Sequence, residues 1–169
     1  MKLNKEDLLL YGVTDSKYLK GRKMSELVEE AILGGVTMIQ LREKEMTHEA
    51  FKQEALDVQS VCQKYHVPLI INDDVELCKE INADGVHIGQ DDLNLKEARK
   101  ILGEDKIIGV SAHNYEEAKI ALENGADYLG VGAIFTTQTK DDAQNVSMKT
   151  LNKICQKVDI PVVAIGGIN

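Results

Sequence analysis

Seven short apolar runs alternate with stretches of helical spacing, and that alternation leaves this chain few folds to choose from. The runs lie at residues 8–13, 38–41, 68–71, 85–88, 107–110, 128–131 and 161–165. Between them, residues 24–33, 48–65, 75–81, 95–101, 115–124 and 148–157 carry apolar positions three or four apart, the spacing of amphipathic helices. Short strands separated by helices predict a parallel sheet covered by helices.

An internal echo narrows the choice. Asn82-Ala83-Asp84-Gly85-Val86-His87-Ile88-Gly89 resembles Gly125-Ala126-Asp127-Tyr128-Leu129-Gly130-Val131-Gly132, and Gly34-Gly35-Val36-Thr37 is a looser third copy. Each copy reads as a helix end, a tight turn and a strand. Quasi-repeating βα units favour a (β/α)8 TIM barrel over a flavodoxin-like open sheet. The first strand is followed by neither a Gly-x-Gly-x-x-Gly nor a Walker pattern, which removes the main support for the open sheet. The expectation is one TIM-barrel domain over residues 1–169. Seven strands are one short of closure, and the fold usually needs roughly 200 residues. The sequence therefore reads as a barrel lacking its last βα unit. Open edges at the first and seventh strands would permit a homo-oligomer.

Composition excludes several classes. A formal net charge of −8 argues against general nucleic-acid binding, which needs a basic surface. No apolar run approaches the ~20 residues that span a bilayer, and the polar N-terminus does not resemble a signal peptide, so no membrane association and a cytoplasmic location are expected. Cys62, Cys78 and Cys155 are widely spaced and sit in helical stretches, as structural thiols in a reducing compartment do.

In such barrels the active site forms at the C-terminal strand ends, and polar residues collect there. Gln40, Arg42 and Lys44 alternate at the end of the second apolar run, so on a strand they would project together. An amide and two cations in an acidic chain suit a multiply charged anion. Arg42 can form a bidentate fork with phosphate, while Lys44 and Lys140 act as point charges. Ser111, Thr137 and Thr139 can donate hydroxyl hydrogen bonds. Asp73 and Asp92 follow adjacent strands and can share a magnesium ion, which takes one or two carboxylates with phosphate oxygens and water. Asp74 is expected to cap the helix that follows it, and Thr14 or Asp15 to cap the segment after the first strand. Gly166 and Gly167 either let a bound group approach the backbone or make a tight turn. His87 either orients a ligand or is a hydrogen-bonded core residue. His113 leans towards function only because it lies two residues past Ser111, while His48 and His66 read as surface residues.

The chain resembles the thiamine-phosphate synthase (thiamine-phosphate pyrophosphorylase) family. The matching motifs are Tyr-Gly-Val-Thr-Asp at 11–15, Gln-Leu-Arg-Glu-Lys at 40–44, Ile-Ile-Asn-Asp at 70–73 and His-Ile-Gly-Gln-Asp-Asp at 87–92. Gly-Val-Ser-Ala-His at 109–113, Thr-Gln-Thr-Lys at 137–140 and Ala-Ile-Gly-Gly-Ile at 164–168 complete the set in family order. The resemblance implies a TIM barrel that joins a pyrimidine diphosphate to a thiazole phosphate and releases pyrophosphate. It implies that Arg42, Lys44, Asn72, Ser111 and Lys140 hold the diphosphate, with Arg42, Lys44, Lys140 and Ser111 carrying the catalysis. Gln40 would face the pyrimidine, Asp73 and Asp92 would bind Mg2+, and Thr137, Thr139 and Gly167 would address the thiazole phosphate. The competing readings are a thiazole tautomerase-like or other phosphate-binding barrel of the superfamily, and a truncated pseudoenzyme. The tautomerase relatives typically lose the Arg-x-Lys and paired-Asp pattern that this chain keeps.

Overall fold

The sequence echo has one physical cause. Asp84 accepts the Leu69 N–H at 2.9 Å, and Asp127 accepts the Ile108 N–H at 2.7 Å. Thr37 Oγ1 does the same for the Leu10 N–H at 3.0 Å. In each case the backbone N–H of the polar residue donates back to the carbonyl of the residue it holds. Each copy thus clasps the start of the preceding strand and sets the register of the strand it begins. The loose third copy works with a threonine because a hydroxyl oxygen accepts as a carboxylate does.

The structure is a computed structural model and describes residues 3–90, 94–135 and 145–168. Its strands are β1 (Tyr11–Val13), β2 (Met38–Leu41), β3 (Leu69–Asn72), β4 (Gly85–Ile88), β5 (Ile107–Ala112), β6 (Tyr128–Val131) and β7 (Val162–Ala164). They follow one another in chain order in a parallel sheet. The helices are α1 (Met24–Leu33), α2 (His48–Tyr65), α3 (Val75–Glu80), α4 (Leu95–Leu102), α5 (Tyr115–Glu123) and α6 (Met148–Lys157). This is the expected α/β architecture of TIM-like barrels, seen through seven strands. One boundary is corrected: residues 5–8 form a 3-10 turn, and the first strand begins only at Tyr11.

Contacts divide the chain into two compact units, Met1–Val86 with Ile101–Ile107, and His87–Lys100 with Ile108–Asn169. In the first, β1, β2 and β3 pair in parallel, with Gln40 opposite Val13 on one side and Ile70 on the other. Leu69, Ile70 and Ile71 are fully buried, as expected for strands covered on both faces, and each contributes about 1.5–3 kcal/mol of burial. Thr47 caps α2, whose stripe of Phe51, Ala55, Val58 and Cys62 is buried. In the second unit β5, β6 and β7 pair in parallel, with Gly109 opposite Tyr128.

The thiols divide. Burial pushes Cys62 and Cys78 up to about 12, as befits structural residues, whereas Cys155 is exposed on α6 and does not fill that role. Glu54 on α2 is pushed up to about 7, first by burial and then by the neighbouring charges of Glu43 and Asp57. Glu43 and Glu54 each carry a buried carboxyl oxygen without a hydrogen-bond partner among the described residues. The folded chain therefore binds more protons than the unfolded chain between the ordinary glutamate value of 4.5 and about 7, and stability falls as pH rises through that window. Glu54→Gln should flatten this decline and raise the melting temperature above neutral pH. Parallel pH–stability curves for the two proteins would refute the assignment.

Candidate active site

The end of β2 carries the polar cluster in the first unit. Gln40 lies within the strand, is 5% exposed, and donates from Nε2 to the Tyr11 hydroxyl at 2.9 Å. The strand stops at Leu41, so Arg42 and Lys44 leave it rather than continue its alternation. This corrects the expectation that strand periodicity aligns the three side chains. The chain is steered instead by Thr14, whose hydroxyl accepts the Arg42 N–H at 2.9 Å, while the Thr14 N–H donates to the Gln40 carbonyl. Thr14 is thus a backbone clamp on the arginine, and Asp15 caps the following 3-10 turn.

At the end of β3 the two aspartates separate. Asp74 caps α3 by accepting the Leu77 N–H at 2.8 Å, as expected. Asp73 adopts a left-handed backbone with φ of 63°, a conformation uncommon for non-glycine residues and concentrated at functional turns. Its carboxylate accepts from Lys44 Nζ at 3.4 Å and from the Asn72 side-chain amide at 2.5 Å. Lys44, Asn72 and Asp73 share a cleft of about 460 Å³, with Met46, His48 and Phe51 on its other walls. His48 is half-exposed, as anticipated, and pairs with Glu80 at 3.1 Å.

In the second unit Ser111 lies near the end of β5. Its hydroxyl is 3.0 Å from His87 Nε2, and its carbonyl accepts from Gln90 Nε2 at 2.6 Å. His87 is 7% exposed, and its Nδ1 lies 3.0 Å from the hydroxyl of the fully buried Tyr128. His113, which leans towards function in the sequence, engages Glu117 in the first turn of α5 through both its backbone N–H and its ring nitrogen. Gly166 and Gly167 have φ of 94° and 65°, and a Cβ on Gly166 would lie 2.6 Å from Ala133 Cα, so a tight packed turn accounts for Gly166. Asp92, Thr137, Thr139 and Lys140 lie outside the described residues. The sequence reading missed Tyr128, Gln90 and the clamp role of Thr14. Its available signal was the phenol on β6 at the echo position held by Gly85 on β4.

Sequential parallel strands whose C-terminal ends carry cations, amides, a strained aspartate and a half-buried serine hydrogen-bonded to a buried histidine define the class: an α/β-barrel protein with strand ends suited to a small anionic ligand. The profile of the family described as "Thiamine monophosphate synthase" matches residues 10–169. This chain belongs to that family. It is 58% identical over 163 residues to the thiamine-phosphate synthase of Clostridium acetobutylicum, covering 96% of this chain and 77% of that one. The thiamine-phosphate synthase of Clostridium tetani is 54% identical, covering 96% of this chain and 78% of that protein. The solved thiamine phosphate pyrophosphorylase from Pyrococcus furiosus superposes with a TM-score of 0.89 at 38% identity, over 98% of this chain and 79% of that one. Among the described residues no helix is long and apolar enough to cross a membrane.

Proposed function

We propose that this chain condenses 4-amino-2-methyl-5-hydroxymethylpyrimidine diphosphate with 4-methyl-5-(2-phosphoethyl)thiazole, giving thiamine phosphate and pyrophosphate. Family membership supplies the reaction, and the observation that carries it here is the cluster at the end of β2. There a buried amide locked to Tyr11 stands two residues from an arginine whose backbone is clamped by Thr14. Gln40 suits a heteroaromatic ring with donor and acceptor edges. Arg42 suits the diphosphate, and Lys44 the charge that grows on it as the bond to the pyrimidine methylene breaks.

The aminopyrimidine stabilises the methylene cation, so pyrophosphate departs before the thiazole nitrogen attacks. What the protein must do is neutralise the departing charge and hold both reactants in line. In the first unit Arg42, Lys44 and Asn72 take the first task, and in the second the Ser111 hydroxyl donates to a phosphate oxygen. Lys140 is assigned with them, and Thr137, Thr139 and Gly167 to the thiazole phosphate. None of these steps asks for a nucleophilic side chain.

Magnesium, when bound, would neutralise diphosphate charge. Asp73 fits a ligand role: a hard oxygen donor at an open cleft, held by Lys44 and Asn72, suits an ion that keeps several waters and takes substrate oxygens. Among the described residues no group of three or more His, Cys, Asp or Glu is placed to hold a metal, so the site would rest on Asp73 and Asp92 with the substrate. Asp73→Asn should raise the magnesium concentration for half-maximal activity by about tenfold or more. An unaltered magnesium titration would remove Asp73 from the metal site.

The deciding experiment follows pyrophosphate release and thiamine phosphate formation from both substrates, with and without magnesium. Product that requires magnesium supports the whole reading. No product from folded protein, with no binding of the pyrimidine diphosphate, would overturn it.

A further inference from the structure

Two groups in the second unit have no part in the reaction as described: His87, which the sequence left ambiguous, and Tyr128, which it did not single out. Both are buried, and both lie on a hydrogen-bonded line that ends at Ser111. Tyr128 Oη is 3.0 Å from His87 Nδ1, and His87 Nε2 is 3.0 Å from Ser111 Oγ. The rings stand 5.5 Å apart at 39°. The space they fill is made by two glycines. A Cβ on Gly109 would lie 2.1 Å from Tyr128 Cζ, and one on Gly130 would lie 2.9 Å from His87 Cε1. Two strands thus give up side chains to admit this one polar pair into the core.

We infer that Tyr128 and His87 are positioning residues that set the direction of the Ser111 hydroxyl hydrogen, leaving it available to a substrate phosphate oxygen. A neutral imidazole offers one donor and one acceptor nitrogen. Phenol is the more acidic of the two hydroxyls on the line and so the better donor. With Tyr128 donating to Nδ1, the proton sits on Nε2 and is donated to Ser111 Oγ. Ser111 then accepts from the histidine, and its own hydrogen points elsewhere. In the reverse order Ser111 would spend its hydrogen on Nε2 and have none for an anion. Gln90, bonded to the Ser111 carbonyl, fixes the backbone on which the hydroxyl turns. Because the bond to a departing pyrophosphate strengthens as charge develops, the arrangement serves turnover more than binding.

The inference rests on the assignment of Ser111 to a substrate phosphate, but its two halves can be tested apart. Nitrogen-15 NMR of the histidine-labelled full chain, with its four histidines and His87 assigned by His87→Gln, reads the tautomer directly. At neutral pH we expect neutral His87 protonated on Nε2, with Tyr128→Phe shifting the proton towards Nδ1. A wild-type His87 protonated on Nδ1, or doubly protonated, would overturn the inference whatever the activity. In steady-state kinetics Tyr128→Phe should lower kcat about tenfold while changing KM for the pyrimidine diphosphate less than about twofold. In a Ser111→Ala background the same change should cost nothing further. Multiplicative losses in the double variant would overturn the inference while leaving the synthase reading intact. A wild-type protein that forms no thiamine phosphate would instead overturn that reading, with the tautomer still deciding the order of the relay.

Discussion

Arg42→Ala is expected to lower kcat/KM for the pyrimidine diphosphate by at least about a hundredfold. A guanidinium forms two parallel charge-assisted hydrogen bonds with a phosphate, and each such bond contributes about 1.5–3 kcal/mol. With about 1.4 kcal/mol per decade, losing the pair amounts to about two to four decades. Arg42→Lys separates charge from geometry. A point charge restores the Coulomb attraction but not the fork, so it should recover less than half of the lost free energy. Thr14→Val probes the support: it removes the oxygen that accepts the Arg42 N–H and should reduce turnover several-fold without removing any charge. Because Arg42 lies past the end of β2, the melting temperature should hardly move. Unchanged kinetics in Arg42→Ala would take this residue out of the site.

The fold was legible because its signals are local. Continuous apolar runs such as Leu69-Ile70-Ile71 and the period of α2 announce strand and helix in their own residues. The echo at Asp84 and Asp127 announces the repeated clasp. The first strand was misplaced because Leu8, Leu9 and Leu10 look like a strand opening. Leu9 and Leu10 are in fact exposed, and residues 5–8 wind into a 3-10 turn capped by Asn4 and Asp7. The candidate site was half legible. Gln40, Asn72, Asp73 and Ser111 could be found by asking which polar residues follow apolar runs. Their partners could not, since Tyr11 meets Gln40 across 29 residues and Tyr128 meets His87 across 41. The partner of His113 was hidden for a different reason: its place two residues past Ser111 says nothing about direction, and its contact with Glu117 is set by the turn into α5.

A large loss of stability is expected from adding a single methyl group. Gly109→Ala should destabilise the fold by about 3 kcal/mol or more, a fall in melting temperature of roughly 6–12 °C. Two effects oppose. Alanine restricts the unfolded chain more than glycine does, which favours the variant by about 0.4–1 kcal/mol where the native backbone accepts it. Against this, the new Cβ would lie 2.1 Å from Tyr128 Cζ and 2.3 Å from its hydroxyl oxygen. A long flexible side chain could swing aside, but Tyr128 is a rigid ring with no exposure, and its hydroxyl is held by His87. Steric cost wins. The ring as a whole is the obstacle, so adding Tyr128→Phe should not relieve the clash, whereas Tyr128→Val should recover part of the lost stability. A melting temperature within about 2 °C of wild type for Gly109→Ala would mean that Tyr128 can vacate its place. The same variant should lose turnover although Gly109 has no side chain to offer a substrate, because displacing the phenol releases His87 and, through it, the Ser111 hydroxyl.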